Sequence, residues 1–248
     1  GSHLMKTPPE PAVARLTPAP RPAAERRHDQ REIYTTPTLA HIQEQAARCL
    51  DCGVPGCREA CPLTNRIPDW LQAVARGELR RAADIAHATN PLPEVCGRLC
   101  PQHRLCEGAC TRATQDGAVT IGAIEQYLGD TALARGWHPA APARRTGKKI
   151  AIIGAGPAGL ACADFLNRAG NTVTVYDRGA GIGGLLATGV PPLKLEKPVL
   201  AARQALWEQA GIGFRLGAPV DGAMLRGLIA EHDAVFLGTG AQTARAVE

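Results

Sequence analysis

The sequence predicts a two-domain α+β protein, in which an all-α domain is followed by an α/β domain of the Rossmann-like type. Eight of the nine cysteines fall into two groups, four within residues 49–61 and four within 96–110, with helical patterns between and after them. Beyond residue 148, strand, glycine-turn and helix patterns alternate, which is typical of a mostly parallel sheet.

Residues 1–30 are predicted to be a tag and a disordered tail. The first five residues, GSHLM, resemble a cloning remnant. The stretch that follows is rich in Pro, Ala and Arg and has little to bury. Because the net charge of +5 lies mostly in this tail and in a later basic linker, it is weak evidence for nucleic-acid binding.

Membrane and export signals are not evident in the sequence. There is no apolar run long enough to span a bilayer and no signal peptide, so we expect a cytoplasmic protein with no membrane partner. Cytoplasmic thiols are kept reduced, which favours metal ligation over disulfide formation for clustered cysteines.

Residues 31–137 are predicted to form the helical domain around the two cysteine groups. The stretch between the groups, DWLQAVARGELRRAADIAHATN, has helical periodicity and ends at Asn90-Pro91. The stretch VTIGAIEQYLGDTALARGW, after the second group, also predicts a helix.

The cysteine spacing favours iron–sulfur clusters. The first group is CLDCGVPGCREACP and the second is CGRLCPQHRLCEGAC. Structural zinc sites commonly use two C-x2-C pairs separated by a longer loop. Four close thiols followed by proline are more typical of bacterial ferredoxins, in which the fourth cysteine ligates a neighbouring cluster. Two [4Fe–4S] clusters are therefore favoured over zinc, and disulfides are favoured least.

Residues 138–147 are predicted to be a linker, and residues 148–248 a Rossmann-like nucleotide-binding domain. The stretch KKIAIIGAGPAGLACADFLNRAGNTVTVYDR predicts a strand, a glycine turn, a helix and a second strand. Later stretches, GIGFRLGAPV, AMLRGLIAEHD and AVFLGTG, predict a strand, a helix and a buried strand.

The glycine turn fits the dinucleotide-binding pattern G-x-G-x-x-G. Its residues are Gly154, Ala155, Gly156, Pro157, Ala158 and Gly159. Gly154 permits a tight turn, Gly156 lets the backbone approach a pyrophosphate, and Gly159 lets the helix pack on the strand. Asp177, at the end of the second strand, is placed to accept hydrogen bonds from a ribose 2′-OH. The pattern alone does not distinguish FAD from a nicotinamide nucleotide.

Several motifs together resemble the small (β) subunit of bacterial glutamate synthase. The same module occurs at the start of dihydropyrimidine dehydrogenase and in the large subunit of ferredoxin-dependent transhydrogenases. The matching stretches, in family order, are CLDCGVPGCREACPLTNRIPDW, NPLPEVCGRLCPQHRLCEGAC, VTIGAIEQY, KKIAIIGAGPAGLACADFLNRAGNTVTVYDR, GIGGLLATGVPPLKLEK and HDAVFLGTG.

The resemblance implies that the two cysteine groups interleave their ligands. One cluster would be held by Cys49, Cys52, Cys57 and Cys110. The other would be held by Cys61, Cys100 and Cys106 together with a fourth ligand. That ligand is either Cys96 or Glu125, which stands where a relative has a side-chain oxygen ligand, and Glu125 is preferred. A carboxylate ligand would change the reduction potential of the cluster.

The nucleotide implied by the resemblance is FAD, which would make residues 148–248 the first, incomplete half of a Rossmann-like FAD-binding domain. A second glycine patch soon after the acidic residue, GIGGLL, is typical of two-domain flavoprotein reductases. Candidate contacts besides the glycine loop are Gly183, Gly184, Leu185, Lys194, Gly238 and Gly240. Lys194 either holds the negative charge of the reduced flavin or is a surface lysine.

The implied function is the transfer of electrons from NADPH via FAD through two [4Fe–4S] clusters to a large partner subunit that makes glutamate. The alternatives are the same module serving a dihydropyrimidine dehydrogenase or a ferredoxin-dependent transhydrogenase, or a non-catalytic zinc-binding or assembly module. A full relative continues beyond AQTARAVE with an NADPH fingerprint and the rest of the FAD domain. NADPH is therefore expected only in the full-length protein.

Overall fold

The structure is a computed structural model that describes residues 13–139, 142–241 and 243. Helices that carry the two cysteine groups come first, and a parallel sheet flanked by helices follows from Lys149 onward. The predicted order of an all-α domain and an α/β domain is thus confirmed. Within the described residues, no helix is long and apolar enough to cross a membrane.

The helical domain consists of short helices around one apolar core. Its helices are α1 (Ala23–Arg26), α2 (Leu39–Ala46), α3 (Gly56–Glu59), α4 (Ile67–Ala75), α5 (Leu79–His87), α6 (Pro93–Leu99) and α7 (Ile121–Ala134), with 3-10 turns at Gln102–Arg104 and Thr111–Thr114. Trp70, Leu71 and Ile124 are almost fully shielded in the core. Helices this short are marginal in isolation, so their stability depends on this shared packing.

The helical stretch predicted between the cysteine groups is divided into α4 and α5. The chain turns at Gly77, whose φ of 78° is a left-handed conformation that glycine adopts at little cost. Gly77 donates its N–H to the carbonyl of Val74, and Glu78 donates to the carbonyl of Ala73, both at 2.9 Å. This pair of bonds is a Schellman cap. Periodicity does not reveal the break because both helices bury their apolar faces in the same core.

The second domain is built on a parallel sheet. Its elements are β1 (Lys149–Ile153), α8 (Pro157–Arg168), β2 (Thr172–Tyr176), α9 (Leu185–Thr188), α10 (Lys197–Gln209), β3 (Gly213–Arg215), α11 (Gly222–Glu231) and β4 (Ala234–Leu237). The described strands lie in the order β3-β2-β1-β4, with every pair parallel. The carboxyl ends of β1, β2 and β4 therefore share one edge, which is where ligands bind in sheets of this type.

The two domains share part of their packing. Leu92, directly before α6, and Val95 of α6 lie in the same apolar cluster as Ile152 of β1 and Trp207 of α10. The helix that carries Cys96 is thereby held against the nucleotide-binding domain.

A fully buried ion pair crosses the boundary between the domains. Nε and Nη2 of Arg203 (α10) donate to the two carboxylate oxygens of Glu94 (α6) at 2.8 and 2.6 Å. Nη2 of Arg203 also lies 3.2 Å from Nε2 of His87 (α5), whose Nδ1 lies 2.8 Å from the Ala83 carbonyl oxygen. Burial, followed by the charge of Arg203, lowers the pKa of His87 to about 3. The ring is therefore neutral near pH 7 and accepts from Arg203.

Part of the tail that the sequence predicts to be disordered is packed against the helical domain. Within residues 13–30, Arg15 forms a 2.7 Å ion pair with Glu107 and donates to the backbone carbonyl of Ala118 at 2.5 Å. Composition does not reveal such contacts, because they depend on a few polar groups rather than on apolar surface. Residues 1–12 lie outside the described residues.

The predicted linker, 138–147, is described except for residues 140 and 141. His138 lies at its start, with Nε2 2.8 Å from a carboxylate oxygen of Asp164 on α8. The same oxygen accepts a 2.9 Å hydrogen bond from Nε1 of Trp207 on α10. The start of this segment is therefore fixed to the second domain.

Candidate functional site

Four cysteines from two distant motifs line one pocket of the helical domain. They are Cys49, Cys52, Cys57 and Cys110. Most of the remaining lining is apolar and includes Pro55, Pro68, Leu71, Val119 and Ile121. The structure thus brings together the four thiols that the resemblance assigns to one cluster.

A close backbone approach brings Cys110 to the first cysteine group. A Cβ atom at Gly56 would overlap the carbonyl oxygen of Ala109, so only glycine permits this approach. Cys57 directly follows Gly56 and Cys110 directly follows Ala109, so this backbone contact places both cysteines in the same pocket. Nearby, the sulfur of Cys52 lies 3.3 Å from Oγ1 of Thr111.

The thiols of this pocket favour a bound cationic group. Burial, followed by the neighbouring Cys110 and Cys49 thiols, raises the pKa of Cys57 to about 12. Burying several thiolates together is costly unless a positive charge compensates them, which bound iron or another metal supplies. An all-thiol donor set in an apolar pocket fits a [4Fe–4S] cluster. Among the residues the structure describes, no three His, Cys, Asp or Glu side chains are grouped to hold a single metal ion.

The second candidate site lies between the cysteine loops and α7. Burial, then Glu125 and Glu107, and also Cys61, raise the pKa of the Cys106 thiol. Burial, followed by Cys100, raises the pKa of Glu125 to about 8. These effects link Cys61 and Glu125 to Cys106, and Cys100 to Glu125. The grouping of all four side chains around one cluster stays a prediction.

Asn90 contacts both candidates for the fourth ligand of the second site. Its Nδ2 donates to Oε1 of Glu125 at 3.0 Å, and its Oδ1 lies 3.6 Å from the sulfur of Cys96. Oδ1 also accepts from the N–H of Leu92 at 3.0 Å, which fixes the orientation of the amide. From the sequence, Asn90 is predicted only as a helix stop, because its partner Glu125 is distant along the chain.

Two glycines allow α6 and α7 to pack closely at the second site. A Cβ atom at Gly97 would overlap the backbone nitrogen of Gln126, and one at Gly129 would overlap the backbone nitrogen of Glu94. Because the helix backbones touch there, Glu125 on α7 and Cys96 on α6 both reach the side chain of Asn90. The glycines Gly97 and Gly129 are visible in the sequence, but only the fold shows that they face Gln126 and Glu94.

The glycine loop between β1 and α8 has the geometry expected of a dinucleotide site. Gly154 has a φ of 110°, and a Cβ atom there would overlap the carbonyl oxygen of Gly238. A Cβ atom at Gly159 would overlap the carbonyl oxygen of Gly154. At Gly156, by contrast, no described atom lies within 4 Å of the Cβ position. The loop is therefore tightly packed on one side and open at Gly156.

Asp177 binds the main chain of the glycine loop. Its Oδ2 accepts from the N–H of Ala155 at 2.7 Å, and its Oδ1 accepts from the N–H of Gly179 at 2.6 Å. The carboxylate therefore supports the loop directly. Its predicted contact with a ribose stays a prediction.

The second glycine patch lies against the first loop. Gly183 donates its N–H to the carbonyl of Ala155 at 2.7 Å. A Cβ atom at Gly184 would lie 3.1 Å from Cα of Gly156. Leu185 follows at the start of α9 and is 69% exposed. The patch therefore borders the open side of the glycine loop.

The end of β4 completes this edge of the sheet. Gly238 donates its N–H to the carbonyl of Ile153 at 2.7 Å. Gly240 has a φ of 68°, and no described atom lies within 4 Å of its Cβ position. The predicted glycine contacts from three separate segments thus meet at one edge.

Two lysines near the second glycine patch have different roles. Lys194 is exposed, with Nζ 6.0 Å from the centre of the Tyr34 ring, and its contact with a flavin stays a prediction. Lys197 donates to the carbonyls of Leu186 and Val190 at 2.7 and 2.5 Å. Lys197 therefore holds the segment after the patch, a role that depends on the fold and was missed from the sequence.

We expect a Gly156→Ala chain to fold normally but to bind FAD roughly tenfold more weakly, which is about 1.4 kcal/mol. Gly156 is the N-cap of α8, whose first turn begins with Pro157 and Ala158, and its φ of −78° suits alanine. The added methyl group would occupy the open space that a pyrophosphate needs. Flavin fluorescence titration measures the affinity.

The matched contrast to this substitution is Gly159→Ala. Its Cβ atom meets backbone rather than open space, so it should lower the free energy of unfolding in urea. If the Gly156→Ala chain binds flavin as tightly as the parent chain, the pyrophosphate does not approach the backbone at Gly156.

The fold and these sites define a class of protein: an iron–sulfur domain joined to a nucleotide-binding domain of the Rossmann type. The family described as dihydropyrimidine dehydrogenase domain II, 4Fe-4S cluster, matches residues 26–137. The family described as NAD(P)-binding Rossmann-like domain matches residues 152–202.

The chain is a homologue of the glutamate synthase small chains, which confirms the resemblance found in its motifs. It is 50% identical to the NADPH glutamate synthase small chain of Halomonas elongata and 49% identical to that of Escherichia coli. Each match extends over 92% of this chain and 49% of the relative. The chain therefore spans about half the length of these relatives.

Other matches extend beyond the glutamate synthases. The putative oxidoreductase AegA of Escherichia coli is 50% identical over 84% of this chain and 32% of its own length. A solved complex of 2-naphthoyl-CoA reductase has a TM-score of 0.40 at 23% identity, covering 74% of this chain and 28% of that one.

Proposed function

We propose that this chain is the electron-transfer module of a glutamate-synthase-type oxidoreductase. Electrons would pass from NADPH via FAD through two [4Fe–4S] clusters to a large partner subunit that makes glutamate. The observation that carries the proposal is the convergence of four thiols from two motifs on one apolar pocket. The names of the small-chain relatives support the coenzyme and the partner.

Each part of the chain has a stated role in this proposal. Thiols of the two sites, with Glu125, bind the iron atoms, and the apolar lining limits access of water. The glycine loop and the free N–H groups of the first turn of α8 bind the pyrophosphate of FAD. Bound FAD would supply the exchange between hydride and single-electron chemistry.

The packing of α6 supports an order for the two sites. Leu92, directly before α6, and Val95 of α6 lie in the same apolar cluster as Leu186, the last residue of the second glycine patch. In the loop of the first site, Val54 is 83% exposed. The second site would therefore receive electrons from the nucleotide, and the first would pass them to the partner.

Metal and sulfide analysis of anaerobically purified protein tests the proposal. About eight irons and eight sulfides per chain, with a broad visible band that bleaches on reduction by dithionite, are expected for two [4Fe–4S] clusters. Stoichiometric zinc in a colourless sample would contradict electron transfer and favour a structural module. Additional flavin absorption would show that this chain retains FAD.

A second candidate keeps the chemistry and changes the electron acceptor. It is favoured by the 50% identity to AegA, which is named an oxidoreductase and not a glutamate synthase. A pyrimidine-reducing enzyme or a ferredoxin-dependent transhydrogenase would be such a system. Oxidation of the reduced chain by a purified glutamate synthase large subunit, and not by ferredoxin, would favour the first proposal.

A further inference from the structure

Arg48 is a buried cation whose side chain is only partly satisfied. It precedes Cys49 directly, and its side chain is 1% exposed. Nη2 donates to the carbonyl oxygens of Asp116 and Gly117 at 3.1 and 2.6 Å, and to Oδ2 of Asp116 at 3.2 Å. Nε and Nη1 are buried and have no hydrogen-bond partner in the part of the chain that is described. Buried donors without acceptors are costly and require an explanation.

Positive charge is in excess around Arg48. Asp116 is shared with Arg112, whose Nε donates to Oδ1 at 2.9 Å and whose Nη2 pairs with Oδ2. The side chain of Arg112 is also largely buried, at 5% exposure. Arg15, a third cation in this region, is already paired with Glu107. One carboxylate therefore serves two buried guanidinium groups.

The excess charge lies beside the first cysteine site. Arg112 lines the same pocket as Cys110, and Cys110 is among the groups whose charge acts on Arg48. Sulfur atoms of thiolates and of a bound cluster are negatively charged acceptors. Such sulfur atoms are therefore suited to accept hydrogen bonds from Nε and Nη1 of Arg48, which have no acceptor among the described residues.

We infer that Arg48 raises the reduction potential of the cluster held by Cys49, Cys52, Cys57 and Cys110. This inference rests on the proposed function. Reduction adds one electron, supplied by the flavin or by dithionite, and no bond to the protein breaks. The added negative charge is stabilised by a nearby guanidinium in a site that excludes water, and charge and hydrogen bonds to sulfur are established determinants of cluster potential.

Potentiometric titration of the reconstituted chain, followed by EPR, tests the inference after iron and sulfide have been counted. In an Arg48→Gln chain, we expect reduction of one cluster to become about tenfold less favourable, a shift of ~59 mV to lower potential. The second cluster should be unchanged. Arg48→Lys keeps the charge and should restore at least half of the shift. Arg76→Gln, at the exposed end of α4, is the matched control and should change neither potential.

A second variant, which should shift the reduction potential in the opposite direction, provides a test if Arg48→Gln fails to fold or to bind iron. Asp116→Asn removes the shared carboxylate and should make reduction of the same cluster about threefold more favourable, or ~28 mV higher. Loaded variants with parent-like potentials would overturn the role of Arg48. A parent chain without iron and sulfide would instead overturn the proposed function.

Discussion

A Glu125→Ala chain is expected to lose most of its second cluster, so that iron falls from about eight to about four atoms per chain. The carboxylate is buried, is oriented by the amide of Asn90, and is the proposed fourth ligand beside Cys61, Cys100 and Cys106. Alanine has no ligand atom, so the second cluster would keep only the thiols of Cys61, Cys100 and Cys106. Iron and sulfide analysis after anaerobic reconstitution measures the effect.

Two further variants separate Glu125 from its competitor. Cys96→Ala should retain both clusters, because the Cys96 thiol donates a hydrogen bond to Oδ1 of Asn90 and is not a cluster ligand in this proposal. Glu125→Gln keeps a side-chain oxygen donor and should also retain the second cluster. If Cys96→Ala halves the iron content and Glu125→Ala does not, Cys96 is the fourth ligand.

An Arg203→Met chain is expected to be less stable by about 3–5 kcal/mol, because the substitution leaves Glu94 as an unpaired buried charge. Both side chains are fully buried and share two short hydrogen bonds. His87 also loses the donor that its Nε2 faces. Urea unfolding of the iron-loaded chain, followed by circular dichroism, measures the change in the free energy of unfolding.

Control variants identify the cause of that loss. The double variant Arg203→Met, Glu94→Leu replaces both charges with apolar groups and should recover much of the stability. Arg80→Met removes an exposed ion pair with Asp84 and should change stability by about 0–1 kcal/mol. Equal losses in the single and double variants would show that packing, and not the unpaired charge, sets the effect.

Local features of the fold could be predicted from the sequence. The glycine spacing from Gly154 to Gly159 lies between an apolar strand and a helix, so this strand, turn and helix were recognisable from a local pattern. The division of α4 from α5 at Gly77 was not, because a bend that keeps the apolar face inward preserves the periodicity. The ion pair of Arg15 with Glu107 was also missed, since it joins residues far apart in the chain.

The candidate site was less predictable than the fold. The spacing indicated two groups of cysteines. Assigning Cys57 and Cys110 to the same cluster required the family resemblance, because their proximity depends on the backbone contact of Gly56 with Ala109. The roles of Asn90 and Arg48 depend on tertiary partners at great sequence distance. Local pattern carries no information on such pairs.

The shared packing of α6 and α10 has a consequence for biosynthesis. The α10 helix follows Cys100 by about 100 residues, which a ribosome adds in roughly 5–20 s at ~5–20 residues per second. During that interval the helix that carries Cys96 and leads into Cys100 is not yet held by Arg203 and Trp207. Iron delivery during translation should therefore be faster than delivery to a finished chain, in which the nucleotide-binding domain already holds α6 in place.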